Sequence, residues 1–191
     1  MTTNLKTFTV MGLDPSLSNL GAVKLSVTLD LADSCIVTDF KYLSMELSET
    51  KPAKKKISNK NVEDLERAHI HKEFLKRMLK DVDFCFVELP TGSQSARAMA
   101  SYGICIGLFA WVEVPYFVLT PTELKLAACN RRTATKEEMI SWAFKQLPEG
   151  DWIKGNSQVA LKKNEHLADA LAAIVAGIKS QVFKKSMLFI K

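Results

Sequence analysis

The stretch "NEHLADALAAIVAGI", residues 164–178, has helical spacing and is apolar almost all the way round. A helix of that kind must be covered on most sides, so the rest of the chain has to build a surface to receive it. Its one mid-helix acid is Asp169, set among Leu167, Ala168, Ala170, Leu171, Ala172, Ala173 and Ile174. A lone carboxylate there takes up a proton unless a cation meets it. His166 lies three residues earlier on the same helical face, and the alanines allow close approach to a sheet.

Two β-prone segments end on acids in a similar way. "TFTVMGL" (7–13) runs into Asp14, then Pro-Ser; "VDFCFVEL" (82–89) reaches Glu88, and Pro90 follows. "GAVKLSVTLDL" (21–31) and "SCIVTDFKYLSM" (34–45) complete a three-stranded meander with the first segment. "NVEDLERAHIHKEFLKRMLKDV" places Val62, Leu65, His69, Leu75, Met78 and Leu79 at three- and four-residue steps, which predicts an amphipathic helix with both His69 and His71 at its surface or boundary.

After Glu88, "TGSQSARAMASYGICIGLFAWV" predicts a helix opened by a Thr91–Gln94 capping box, and "VPYFVLT" (114–120) a short buried strand. "PTELKLAAC" predicts a helix from Pro121, and "TATKEEMISWAFKQL" another, with the capping box Thr135–Glu138. The order predicts an α/β fold: a mixed five-stranded sheet, antiparallel meander plus parallel strands, flanked by helices. Right-handed crossover then lays the strand ending at Glu88 beside the one ending at Asp14.

Asp14, Glu88 and Asp169 each stand where a structural residue would be apolar. Three ionised carboxylates crowd together only around divalent cations. An oxygen-rich set with His166 as a fourth ligand suits Mg²⁺ or Mn²⁺ better than zinc, and a pair of such ions is suited to phosphodiester cleavage. The four cysteines form no C-x-x-C pair and sit mostly in apolar runs, which predicts reduced core residues and an intracellular protein. A net charge of +5 favours a polyanionic partner. The most apolar run is broken by Glu113 and Pro115, short of the roughly 20 residues of a membrane span.

"GLDPSLSNLG", "VELPTGSQSARAMASYGI" and "EHLADALAAI", in this order, resemble the RuvC-type Holliday junction resolvases of the ribonuclease H-like superfamily, bacteriophage versions above all. The resemblance spans about residues 8 to 180 and implies a nuclease; the length suits one domain over 1–191, and the residues themselves read as a basic loop at about 48–60 and a basic tail at about 179–191. The resemblance implies a cytoplasmic homodimer, in the host cytoplasm if phage-encoded, that nicks branched DNA with two Mg²⁺ or Mn²⁺ ions per site. Asp14, Glu88, Asp169 and, as in some members, His166 would be metal ligands. Lys125 and Lys136 are eleven residues apart, as are two functional lysines of bacterial RuvC, and Lys136 joins the catalytic set.

Ser93, Ser95, Arg97, Lys125, Arg131, Arg132, Lys54, Lys55 and Lys56 are the expected DNA contacts. The serines also suit helix caps, and the lysine run a solvated loop. One departure is plain: bacterial RuvC carries an aromatic wedge shortly after the second acid, where this chain reads Leu89, Pro90, Thr91, Gly92. A nuclease of the same fold acting on flaps, forks, single strands or RNA is therefore the alternative. An actin-like ATP-binding protein is a more distant one, suggested by "LDPSLSNLGAVKL" but lacking a second copy of the domain.

Overall fold

A computed structural model describes residues 4–32, 35–50, 59–89, 91–155 and 162–189. Strands β1 (Leu5–Pro15), β2 (Asn19–Asp30) and β3 (Ile36–Glu49) form the antiparallel meander. β4 (Phe84–Glu88) lies parallel against β1, and β5 (Tyr116–Leu119) parallel against β4, giving one five-stranded sheet in the order β3-β2-β1-β4-β5. Leu13 pairs with Val87, so Asp14 and Glu88 come next along adjacent strands at the same edge of the sheet.

Side chains alternate across a strand, and this parity decides what each face carries. Met11 and Leu13 of β1 and Cys85 and Val87 of β4 point to the face covered by α1 (Lys60–Met78) and α2 (Ala96–Phe109), where they pack with Phe74, Leu75, Leu108 and Phe109. Val10, Phe84 and Phe86 point to the opposite face, against α5 (Glu165–Lys179) and the helices beside it, α3 (Pro121–Cys129) and α4 (Lys136–Gln146). Asp14 and Glu88 share the parity of Val10 and Phe86. Both acids therefore belong to the face under α5.

That helix presses onto the sheet because glycines remove the side chains beneath it. A Cβ at Gly12 would lie 1.8 Å from the Ala170 carbonyl oxygen, one at Gly21 2.2 Å from that of His166, and one on the helix at Gly177 2.0 Å from Phe86 Cδ1. No side chain fits such gaps. Gly12→Ala is expected to destabilise the protein by about 1–3 kcal/mol through overpacking, measured by thermal unfolding. Gly21→Ala is expected to add a displacement of His166, whose carbonyl lies over it; an unchanged Tm in both would contradict this packing.

Several sequence expectations change. The inward face of α1 is Glu63, Asp64, Arg67, His71, Phe74, Leu75 and Met78, while Val62 and Leu65 are exposed. The first half of this helix lies over the polar turn between β1 and β2, which needs hydrogen-bond partners, and only its second half meets the apolar core. β5 is an edge strand with Tyr116 and Val118 exposed, not a buried one. α2 starts at Ala96 with Ser95 as its cap, so the Thr91–Gln94 box does not form.

The Thr135–Glu138 box does form, and a second, Thr120–Glu123, opens α3. Part of the basic tail is a helix, α6 (Gln181–Met187), anchored by fully buried Phe183 against Phe84, Phe86 and Phe117. The four cysteines are free. No helix among the described residues is long and apolar enough to cross a membrane.

Candidate active site and metal centre

Asp14 at the end of β1, Glu88 at the end of β4 and Asp169 in the second turn of α5 each offer a carboxylate oxygen, and these oxygens all lie within 4.8 Å of one another. Segments far apart in the chain thus meet at one point. The convergence follows from strand parity, from the parallel pairing of β1 with β4, and from the glycines that let α5 descend.

Bare carboxylates so close are held partly protonated. Burial, with the charges of Asp14 and Asp169, pushes the Glu88 carboxyl up to about 9. Burial, with Asp14 and Glu165, pushes Asp169 up to about 7. A divalent cation relieves this repulsion, and hard oxygen donors from three carboxylates fit Mg²⁺ or Mn²⁺.

His166 reaches the cluster through Asp14, its Nδ1 2.6 Å from Asp14 Oδ2. A carboxylate only accepts, so Nδ1 carries the proton, leaving Nε2 free as a ligand or base in the neutral ring. Burial disfavours the imidazolium, but the bond to Asp14 and the charges of Glu165 and Asp169 outweigh it, so His166 stays protonated above its ordinary range.

The two lysines border the same site. Lys125 is near enough to favour the ionised forms of both Glu88 and Asp169. Lys136 pairs with Glu165 at 2.5 Å, next in sequence to His166, and this bond raises its own pKa.

The other expected DNA contacts are more scattered. Ser95 caps α2 by accepting from the Ala98 amide, and Ser93 accepts from the Ser95 amide. Arg97 forms a two-pronged pair with Asp64, Nη2 to Oδ1 at 2.6 Å, which holds the Asp64 carboxyl below its usual range. Arg131 pairs with Glu138, and Arg132 is exposed. Lys54, Lys55 and Lys56 lie outside the described residues.

A buried polar cluster behind the site escaped the sequence reading. His71 is fully buried, with Nδ1 2.9 Å from Ser48 Oγ and Nε2 3.2 Å from the Leu17 carbonyl. The carbonyl can only accept, so Nε2 donates and Nδ1 accepts from the serine. Burial keeps this ring neutral, its pKa lowered. Arg67 reaches Thr50 Oγ1 and Ser18 Oγ, tying α1 to the turn that follows Asp14. The available signal was spacing: Arg67 and His71 continue the helical line of Phe74, Leu75 and Met78.

No protein-family profile matches the chain, and no curated protein does. Solved structures do. RuvC of T. thermophilus in complex with Holliday junction substrate is similar at 23% identity and a TM-score of 0.60, covering 94% of this chain and 96% of that one. A second Thermus thermophilus RuvC structure gives 22%, 0.55 and the same coverage. The Fowlpox virus resolvase in complex with Holliday junction DNA gives 16% and 0.50, over 94% of this chain and 99% of that one.

Proposed function

We propose that this chain, which has the RuvC fold, is a divalent-metal-dependent endonuclease that resolves Holliday junctions by paired nicks. The observation that carries the reading is the meeting of Asp14, Glu88 and Asp169 within 4.8 Å at the edge of the sheet. The relatives in fold include resolvases solved with junction DNA.

Asp14, Glu88 and Asp169, with His166, would hold Mg²⁺ or Mn²⁺, two ions per site in this reading. Such ions supply an activated water and charge stabilisation at the departing 3′ oxygen, leaving a 5′-phosphate. Asp14 fixes the His166 ring by accepting from Nδ1, which leaves Nε2 in one orientation. Lys125 offsets negative charge beside Glu88 and Asp169 as phosphate arrives. Lys136, most of its side chain in solvent, is held over the start of α5 by Glu165 and can meet an incoming phosphate oxygen.

Residues 1–191 act as one nuclease domain in this reading, and two copies are needed for two symmetric cuts. The exposed apolar side chains Leu65 of α1 and Met99 and Ile106 of α2 support pairing through that face, as do Gly103 and Gly107, whose Cα positions have open space above them. Light scattering is expected to give a dimer mass; a monomer that still makes paired cuts would remove this part.

A second reading, a nuclease of the same fold with another target, is favoured by the chain just past Glu88, where Thr91 to Ser95 are exposed and no aromatic wedge stands. Cleavage of a four-way junction, a fork, a flap, a single strand and an RNA–DNA hybrid at equal concentration with Mg²⁺ separates the two. Paired symmetric nicks in the junction, at least about tenfold faster than any other substrate, are expected, the preference corresponding to about 1.4 kcal/mol. Equal rates on all five would favour the second reading.

A further inference from the structure

At the β1–β2 turn that follows Asp14, on the side of the sheet covered by α1 and α2, lies a cavity of about 300 Å³. Ser16, Ser18, Arg67, Arg97, Ser101 and Tyr102 line it. Ser16 is two residues past Asp14, so the backbone that lines the cavity lies within about 7 Å of chain from the backbone that carries the first carboxylate.

Its anchor is a buried cation. The side chain of Arg67 is only 10% exposed; Nε donates to Thr50 Oγ1 at 3.0 Å and Nη2 to Ser18 Oγ at 2.7 Å. Nη1 makes no hydrogen bond among the described residues and stands 4.0 Å from Asp64 Oδ1. A guanidinium has five N–H donors, so several remain to be met. Ser18, accepting from Arg67, keeps its own hydroxyl proton to give. Arg97 spends one donor from each terminal nitrogen on Asp64, and half of its side chain is exposed.

Two guanidiniums face one carboxylate here, since buried Glu63 is answered by Lys60 and burial keeps His71 neutral. The excess is one positive charge plus hydroxyl donors converging from three segments. Planar guanidiniums with hydroxyls at other angles suit a tetrahedral oxyanion.

We propose that this cavity seats a backbone phosphate of the bound DNA strand, next to the phosphate that is cut, with Arg67 as its fixed anchor and Arg97 as its outer arm. The inference rests on the nuclease reading above. It gives the buried cluster a purpose beyond bracing the turn: His71, Ser48 and Thr50 hold Arg67 and the hairpin in place, so that a phosphate seated there sets the register of the strand over the acids.

The test uses four-way junctions carrying a single uncharged methylphosphonate linkage at successive positions around the cut, with binding measured in Ca²⁺. The wild type is expected to lose about tenfold in affinity for one such linkage adjoining the cut. Arg97→Gln is expected to bind the unmodified junction several-fold more weakly, to suffer a clearly smaller penalty from that linkage because Arg67 still meets the phosphate, and to lower the slope of log K against log salt by about 1. Ser101→Asp sets a carboxylate one turn from Arg97, where it draws that guanidinium away and repels the phosphate; it is expected to bind alike and to stay folded by circular dichroism. If the wild type binds and cuts but both variants keep the full methylphosphonate penalty, the seat is wrong and the nuclease reading stands. If the wild type neither binds nor cuts a junction, the nuclease reading fails and the seat falls with it.

Discussion

Asp14→Asn is expected to lower metal-dependent junction cleavage by about a thousandfold or more, with the protein still folded and still bound to junction DNA. Asn keeps the shape of the side chain and removes the charge. Asp14 lies against both other acids and accepts from His166 Nδ1, so one change weakens ion binding and removes the charge that favours the protonated ring. Losing a group that stabilises transition-state charge costs about 3–4 kcal/mol, equivalent to two to three decades in rate, and loss of ion affinity adds to it. Glu88→Gln and Asp169→Asn are expected to follow. Single-turnover cleavage beside circular dichroism separates chemistry from folding; a fully active Asp14→Asn protein would remove the centre from the reaction.

The second large effect is in stability without metal. Glu88 at about 9 and Asp169 at about 7 stand above their ordinary values of 4.5 and 3.8 in the folded chain. The folded state therefore holds more protons than the unfolded one between those limits, and stability falls as pH rises through them. His166 acts in the same sense: its folded pKa is raised above 6.5, so its contribution is complete below 6.5 and lost as pH passes the folded value. His71 opposes the trend, because its lowered pKa costs stability as pH falls through 6.5 and below.

Metal-free protein is accordingly expected to melt lower at pH 9 than at pH 7. Glu88→Gln is expected to recover about 1–2 kcal/mol at pH 9, roughly 2–8 °C in Tm for a chain of this size. Mn²⁺ is expected to raise the wild-type Tm most at alkaline pH and to release protons on binding, seen by calorimetry in buffers of different ionisation enthalpy. A Tm independent of pH and of Mn²⁺ would mean that the three acids do not share one ion site.

Much of this was legible in the sequence for physical reasons. Strand alternation, the acids at strand ends and the all-apolar helix left few ways to cover the sheet, and β1 beside β4 followed from crossover geometry. Asp169 was legible because a charge in an apolar helix needs an explanation. The inward face of α1 was not. Its apolar positions Val62 and Leu65 point to solvent, and its charges turn inward to a hairpin whose hydrogen-bonding needs show only in three dimensions. Periodicity reports which residues share a face, but not whether core, polar turn or another copy of the chain lies opposite. The start of α2 is ambiguous in the sequence because Thr91, Ser93 and Ser95 are all competent caps, and only the path of the chain after Glu88 selects Ser95.

Asp169 rides on the helix whose neighbouring residues, Ala168, Ala170 and Ala172, are fully buried between the sheet and the helices beside it. Amide hydrogens in the middle of such an element exchange with solvent only when the whole molecule opens, and Asp169 stands in the second turn, directly ahead of that slowest-opening part of the fold. Heat or denaturant would then silence the chemistry at the global transition, with no earlier stage in which an intact framework carries a loosened centre.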